Sequence, residues 1–386
     1  MTSPSAEGVL LAEDAGWQGG GVTADGPDLD DAAPPLVEEA VLADLRRRLH
    51  AYRPVEGTGT PGWDRGTEHG YLAELLRSWA DDYDWRVHEQ RIRSLPWART
   101  SRLRAVHQRA ADPGATAVVL LHGWPDSVLR YQRVLPLLTD VHVVVPALPG
   151  YPFAAPLPDR DLSSADMAEV IAEAMAELGY DRYVVSGGDI GRGVATALAE
   201  NHADRVAALH VTDVPLAAAF SGDPAAQTDD ARDLRERITA WRSAEGAYMH
   251  EQSTKPHTLA VALGDSPAGL AAWIVEKLRS WSDCGGDVER VFPREELLTW
   301  VTAYWVTGAI GTSFAPYMKQ SPPVERIDVP TVVSQFPHEI IRSPRSVAER
   351  LFDLRVFEDG AAGGHFAAWE RPEEFVGFVR RAVALS

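Results

Sequence analysis

At 386 residues the chain exceeds one ordinary domain and can bury a large core, so a main domain with an inserted or flanking one is expected. Its formal charge of −19 and pI near 5.0 argue against nucleic acid and anionic membrane surfaces as partners. One cysteine, Cys284, excludes an internal disulfide framework and suits a reducing compartment. The short apolar run Val9–Ala12 has no basic flank, and no stretch reaches the ~18 apolar residues of a membrane span. A cytoplasmic protein without a membrane partner is therefore expected.

Residues 1–35 carry seven acids and no base and show no periodicity, so they read as a disordered acidic tail. From Leu36 to Leu49, Val37, Val41, Leu45 and Leu49 fall at helical spacing. A second helix is predicted over Tyr71 to Ala80, ahead of the aromatic pair Tyr83 and Trp85. Residues 36–115 thus read as an N-terminal helical extension packing on the core. The pattern then changes. AVVLL (117–121), VHVVV (141–145), YVV (183–185), AALHV (207–211), TVV (331–333) and LRVFED (354–359) read as strands, most of them short, apolar and β-branched. Most are followed by a helical stretch, as buried parallel strands with helical crossovers would be. Between about Pro215 and Pro330 the strand signal vanishes, and helices are predicted over Asp230–Arg242, Ala268–Trp281 and Arg294–Gly308. A closing helix is predicted from Pro372 to Leu385. The expectation is an α/β fold with a mostly parallel sheet flanked by helices: core residues 116–215 and 325–386, with 216–324 inserted as a helical lid.

The most informative segment is VVSGGDIGRG, Val184 to Gly193. A strand ends, the chain turns sharply, and small residues frame one polar side chain, Asp189. This is the pattern of a nucleophile elbow, in which glycines permit a strained turn that lifts one side chain above the sheet. Ser186 is out of frame, because Val184 would stand where a small residue belongs. The competing reading of Asp189 is a helix N-cap. After AVVLL comes His122-Gly123-Trp124-Pro125, a loop placed to aim backbone N–H groups at the elbow. The N–H groups of Trp124 and Ile190 are the expected oxyanion hole, with both residues also at the substrate, and His122 is expected to orient the loop. His365 follows the last strand, where an α/β-hydrolase places its base. Glu339 follows TVV and is the favoured orienting acid over Asp353 and Glu358. A carboxylate can displace a leaving group from saturated carbon without first losing a proton, forming an ester that a His-activated water hydrolyses. Strained cyclic ethers and alkyl halides both fit. An epoxide leaves as an alkoxide and needs a proton donor; the lid phenols Tyr248 and Tyr317 suit that task, though both also suit packing.

These residues resemble the microsomal-type epoxide hydrolases from roughly Trp63 to Phe375. The shared segments are DWRVHEQ (84–90), HGWPDS (122–127), PALPGYPF (146–153), GGDIG (187–191), YMHEQSTKP (248–256), DSPAGLAAWIVEK (265–277), YWVTGAI (304–310), FPHE (336–339) and GGHFAAWERP (363–372). The resemblance implies an α/β-hydrolase with Asp189 as nucleophile, Glu339 and His365 as acid and base, and Tyr248 and Tyr317 as ring-opening tyrosines. It implies a small hydrophobic epoxide as substrate and no metal or organic cofactor, and it leaves room for a homodimer. The chain departs from the family pattern in three places. Ile190 stands where tryptophan is usual, Tyr317 sits in FAPY and not R-F-Y, and an acidic tail replaces the animal members' membrane anchor. Haloalkane dehalogenase is the alternative on the same scaffold, disfavoured by Ile190 and the tyrosine pair. A catalytically silent, small-molecule-binding α/β-hydrolase is the other alternative, disfavoured by an intact triad. Ile190 and the lid tryptophans Trp273, Trp281, Trp300 and Trp305 lean toward a bulky substrate.

Overall fold

The apolar runs assemble at the centre of one mixed eight-stranded sheet in the computed structural model, which describes residues 32–57, 62–156, 162–220, 228–319 and 326–386. The strands are β1 (Trp97–Arg99), β2 (Arg104–Gln108), β3 (Ala117–Leu121), β4 (His142–Pro146), β5 (Tyr183–Gly187), β6 (Val206–Val211), β7 (Ile327–Gln335) and β8 (Phe352–Asp359). Their spatial order is β1-β2-β4-β3-β5-β6-β7-β8, antiparallel only at the β1–β2 and β2–β4 pairs. Strands β3 to β6 are buried throughout, as continuous apolar runs covered on both faces must be. The strand order reverses at β3, which lies between β4 and β5. In such sheets a ligand crevice opens beyond the carboxyl ends of the strands flanking the reversal. His122–Trp124 leaves β3 and Asp189 leaves β5 at that place.

The first two strands correct the expectation of a purely helical N-terminal extension. Strand β2 carries Arg104 and His107, so its sequence shows no apolar run, yet both side chains are buried with partners. Arg104 Nε donates to the Ala32 carbonyl and Nη1 to Phe153 and Ala154, while His107 Nε2 meets the Tyr180 hydroxyl at 2.8 Å. Of the predicted tail, residues 1–31 lie outside the described residues. Ala32 and Pro34 are buried, so the extended chain is already packed before residue 36.

The helices Glu39–His50, His69–Asp81 and Trp85–Arg93 precede the sheet; the third was not predicted, because Arg, His, Glu and Gln dominate it. They pack largely against the helical region between β6 and β7, which contains Asp229–Ala244, Ala247–Thr254, Pro256–Asp265, Pro267–Ser280 and Arg294–Thr307. Arg48 Nη1 bonds the Asp265 carboxylate at 2.8 Å, Arg91 Nη2 bonds Glu296 at 2.8 Å, and the Tyr83 hydroxyl meets Thr299 at 3.0 Å. The extension thus holds the lid down as well as widening the sheet. No single helix among the described residues is long and apolar enough to cross a membrane.

Inside the sheet, His210 on β6 joins Ser186 on β5 at 2.8 Å and Ser334 on β7 at 2.9 Å. It is fully buried beside Phe375 and Phe378, and burial lowers its pKa from 6.5 to about 3. The unfolded chain takes up this proton near pH 6.5 and the folded chain does not. The contribution is therefore whole above pH 6.5 and is lost as pH falls toward 3. Between pH 6.5 and 4, unfolding free energy is expected to fall by about 3 kcal/mol more in the parent protein than in His210→Asn. Denaturant titrations across that range read the difference.

Candidate active site

Asp189 sits at the turn between β5 and the helix Ile190–Asn201 with φ 55° and ψ −127°. A non-glycine residue held there carries ~1–3 kcal/mol of strain, which the surroundings must enforce. The turn is held in place from outside. The Asp189 N–H donates to Asp213 Oδ1 at 2.9 Å, and Arg192 Nε clamps the other Asp213 oxygen at 2.9 Å. Glycine at 191 is required because a Cβ there would collide with the carbonyls of Leu121 and His122. Gly123 is required because a Cβ would strike the Asp189 side chain itself. Asp189 occupies the N-cap position of that helix without a standard side-chain cap, and the one helix N–H it meets is that of Ile190.

The carboxylate faces two backbone donors. Trp124 N–H donates to Oδ1 at 2.8 Å, and the Ile190 N–H also bonds the group. The two expected oxyanion donors therefore converge on Asp189. Burial raises the Asp189 pKa, and His365 with the two N–H donors works against that rise.

His365 lies on the loop after β8. Its Nδ1 is 2.7 Å from Glu339 Oε1, which also accepts the Ile340 N–H at 2.9 Å. A carboxylate there selects the tautomer with hydrogen on Nδ1, leaving Nε2 facing Asp189 Oδ2 at 3.8 Å, too far for a direct hydrogen bond. Glu339 is thus the acid that reaches the imidazole. Asp353 instead pairs with Arg355, and Glu358 pairs with Arg381. Burial lowers the His365 pKa, but the Glu339 carboxylate and then Asp189 outweigh it and raise the group to about 9.

The inserted helical region brings both tyrosines to the surroundings of Asp189. Tyr248, on the helix Ala247–Thr254, stacks on the Trp124 indole with centroids 5.4 Å apart and planes at 11°. Tyr317, on the turn Ala315–Met318, meets the Tyr248 ring edge-on at 6.2 Å and the Trp124 ring at 6.2 Å. Burial and the Asp189 charge push both phenols well above their usual pKa, with a contact from Tyr317 partly relieving Tyr248. Both hydroxyls keep their protons at neutral pH, as donors must.

The sequence did not single out Asp213, Asp126, Arg130 or Tyr151. Asp213 follows β6 by two residues, so an acid at a strand's carboxyl end was the available signal. Tyr151 packs on His122 at 5.1 Å, has a buried hydroxyl with no hydrogen-bond partner among the described residues, and feels the Asp189 charge. It also borders a cavity of about 570 Å³ between Leu36, Trp85, Ile92, Phe153 and Val306, whose walls do not include Asp189, Tyr248, Tyr317 or His365. No cluster among the described residues is arranged to hold a metal ion.

Fold and site together define an α/β-hydrolase whose elbow carries an aspartate, with a histidine and two tyrosines of the inserted helical region around it. A family described as the epoxide hydrolase N terminus matches residues 34–131, and the α/β-hydrolase fold family matches residues 116–243. A candidate epoxide hydrolase from Stigmatella aurantiaca is 33% identical over 358 residues, spanning 88% of this chain and 81% of that protein. Among solved structures, the juvenile hormone epoxide hydrolase of Bombyx mori superposes with a TM-score of 0.82 at 27% identity, covering 91% of this chain and 93% of that one. The Aspergillus niger epoxide hydrolase gives 0.78 at 28% identity, covering 91% and 95%. The chain belongs to the epoxide hydrolase family.

Because the Asp189 charge helps hold the His365 proton, neutralising that carboxylate is expected to lower the His365 pKa from about 9. Imidazole NMR titration of Asp189→Asn should show the shift. An unchanged midpoint would mean that the two groups are not coupled.

Proposed function

We propose that this protein opens an epoxide with water to give a vicinal diol through a covalent ester on Asp189. The observation that carries the reading is the convergence of Trp124 N–H, His365 Nε2 and two protonated phenols around one half-buried carboxylate. Trp124 N–H engages Oδ1, so Oδ2 is the attacking atom. It forms a bond to an epoxide carbon as that carbon's ring C–O bond breaks. The departing oxygen takes a proton from Tyr248 or Tyr317, leaving a tyrosinate and a hydroxyalkyl ester. Alkylation removes the negative charge that raises the pKa of His365, so the imidazolium can give its Nε2 proton to the tyrosinate and become the neutral base. The same step removes the charge that raises both phenols, which eases formation of the tyrosinate.

The imidazole then takes a proton from water as that water attacks the ester carbonyl. The developing oxyanion on Oδ1 is met by the N–H groups of Trp124 and Ile190. Collapse passes water's second proton to the leaving alkoxide, releasing the diol and the Asp189 carboxylate, and leaves His365 protonated as at the start. Glu339 holds the Nδ1–H side of the ring throughout, so that only Nε2 exchanges protons. We assign an apolar epoxide as substrate, because the groups around Asp189 are the rings of Trp124, Tyr248, Trp281 and Tyr317. A haloalkane would leave both phenols without a task, which supports the epoxide reading over dehalogenation.

A single turnover in 18O-water is the direct test. Label should enter the Asp189 carboxylate and the first diol should be unlabelled; label found only in the diol overturns the covalent route. Asp189→Ala should abolish turnover, and His365→Gln should stop at the ester. Tyr248→Phe and Tyr317→Phe should each slow alkylation by about tenfold or more, and the double variant by about 10²–10⁴-fold. Rapid-quench measurement of ester formation reads all five.

A further inference from the structure

Asp126 and Arg130 form an ion pair with no catalytic task in the two-step route. Both are essentially inaccessible to solvent, at 2% and 1% exposure. Arg130 Nη1 donates to Asp126 Oδ2 at 2.6 Å. Such a pair is hard to explain by stability, because desolvating two charges consumes much of what their attraction returns. Its remaining hydrogen bonds indicate what it holds.

On one side, Asp126 Oδ1 accepts the Gly123 N–H at 2.9 Å, next to the Trp124 N–H that meets Asp189. His122 Nε2 accepts the Leu148 N–H at 3.1 Å, so its proton sits on Nδ1, 3.4 Å from Asp126. The lid reaches the same residue, since the Tyr304 hydroxyl donates to the Asp126 carbonyl at 3.0 Å. On the other side, Arg130 Nη2 donates to the backbone carbonyl of His365. The guanidinium also lies 5.6 Å from the Phe366 ring, and a Cβ on Gly188 of the elbow would stand 3.6 Å from Nη2. The His365 N–H is already taken by the Trp281 carbonyl at 2.8 Å. The main chain of the base is therefore held at both polar ends, by the lid at N–H and by Arg130 at C=O.

We propose that the Asp126–Arg130 pair is a positioning device for ester hydrolysis, tying the loop that offers the Trp124 N–H to the main chain of His365. The inference rests on the Asp189-ester reading. Neither residue touches substrate; they act by keeping the N–H that polarises the ester and the imidazole that activates water in one frame. Alkylation needs only Asp189 and a phenol, so it depends less on the strut. Hydrolysis needs both connected parts.

The test is the double variant Asp126→Asn/Arg130→Met, which removes both charges without leaving one buried and unpaired. Slower hydrolysis with intact alkylation lowers kcat and KM together, by about 10- to 100-fold, and holds kcat/KM within about threefold of the parent. Ester trapped on Asp189 by acid quench at steady state should rise in parallel, read by intact mass. A merely structural defect would lower kcat/KM with kcat and trap no extra ester, and that result overturns the inference. So does a parent-like kcat. Asp126→Asn alone, which preserves shape and an acceptor for Gly123, should give the same signature at smaller amplitude. Unchanged kcat and ester level in that variant also overturn the inference, even if the double variant fails to fold. Ester absent from both the parent and His365→Gln would refute the covalent reading itself, whereas ester present there without a rise in the pair variants removes the positioning role alone.

Discussion

Everything near the crevice follows from burying one carboxylate on a strained turn. Asp189 occupies a backbone conformation that its own side chain does nothing to relieve, and its charge is largely withdrawn from water, with the side chain 14% exposed. Such a group persists only if its neighbours are arranged for it. Asp213 holds the turn's N–H, glycines at 123 and 191 let two backbones close on it, and two N–H groups face the anion. The same donors that make the charge tolerable are those that would receive an oxyanion once the carboxylate has become an ester.

That single charge also links groups on three separate parts of the chain. It raises the pKa of His365 on the loop after β8, and of Tyr248 and Tyr317 on the lid. Forming an ester removes it, so one bond would release the base for water and make the tyrosinate less costly. Acid and base functions can then alternate in a fixed frame through the appearance and loss of charge, with no side chain required to move far.

The lid is part of that frame. It delivers both phenols, and Trp281 at the end of the helix Pro267–Ser280 takes the His365 N–H. The N-terminal helices pin the lid through Arg48, Arg91 and Tyr83. The extension therefore acts on the site at one remove, by fixing the elements that carry the proton donors.

Much of this was legible in the chain itself, and the reason is local. Strands β3 to β6 announced themselves because strands covered on both faces are written as apolar runs, and the elbow because a strained turn demands small residues at set offsets. The order Asp189, Glu339, His365 was enough to pick out three side chains that the fold brings together. The parts that were illegible share a different cause. Strand β2 is polar in sequence and is buried only because Ala32, Phe153 and Tyr180 supply partners from distant positions. Asp213, Asp126 and Arg130 look like ordinary surface charges until folding closes 24-residue and 235-residue separations to hydrogen-bond distance. Sequence alone determined which side chains can do the chemistry, because spacing and residue type are local properties. Tertiary structure alone decided how their charges are coupled and what holds them, because those depend on distances that no local pattern encodes.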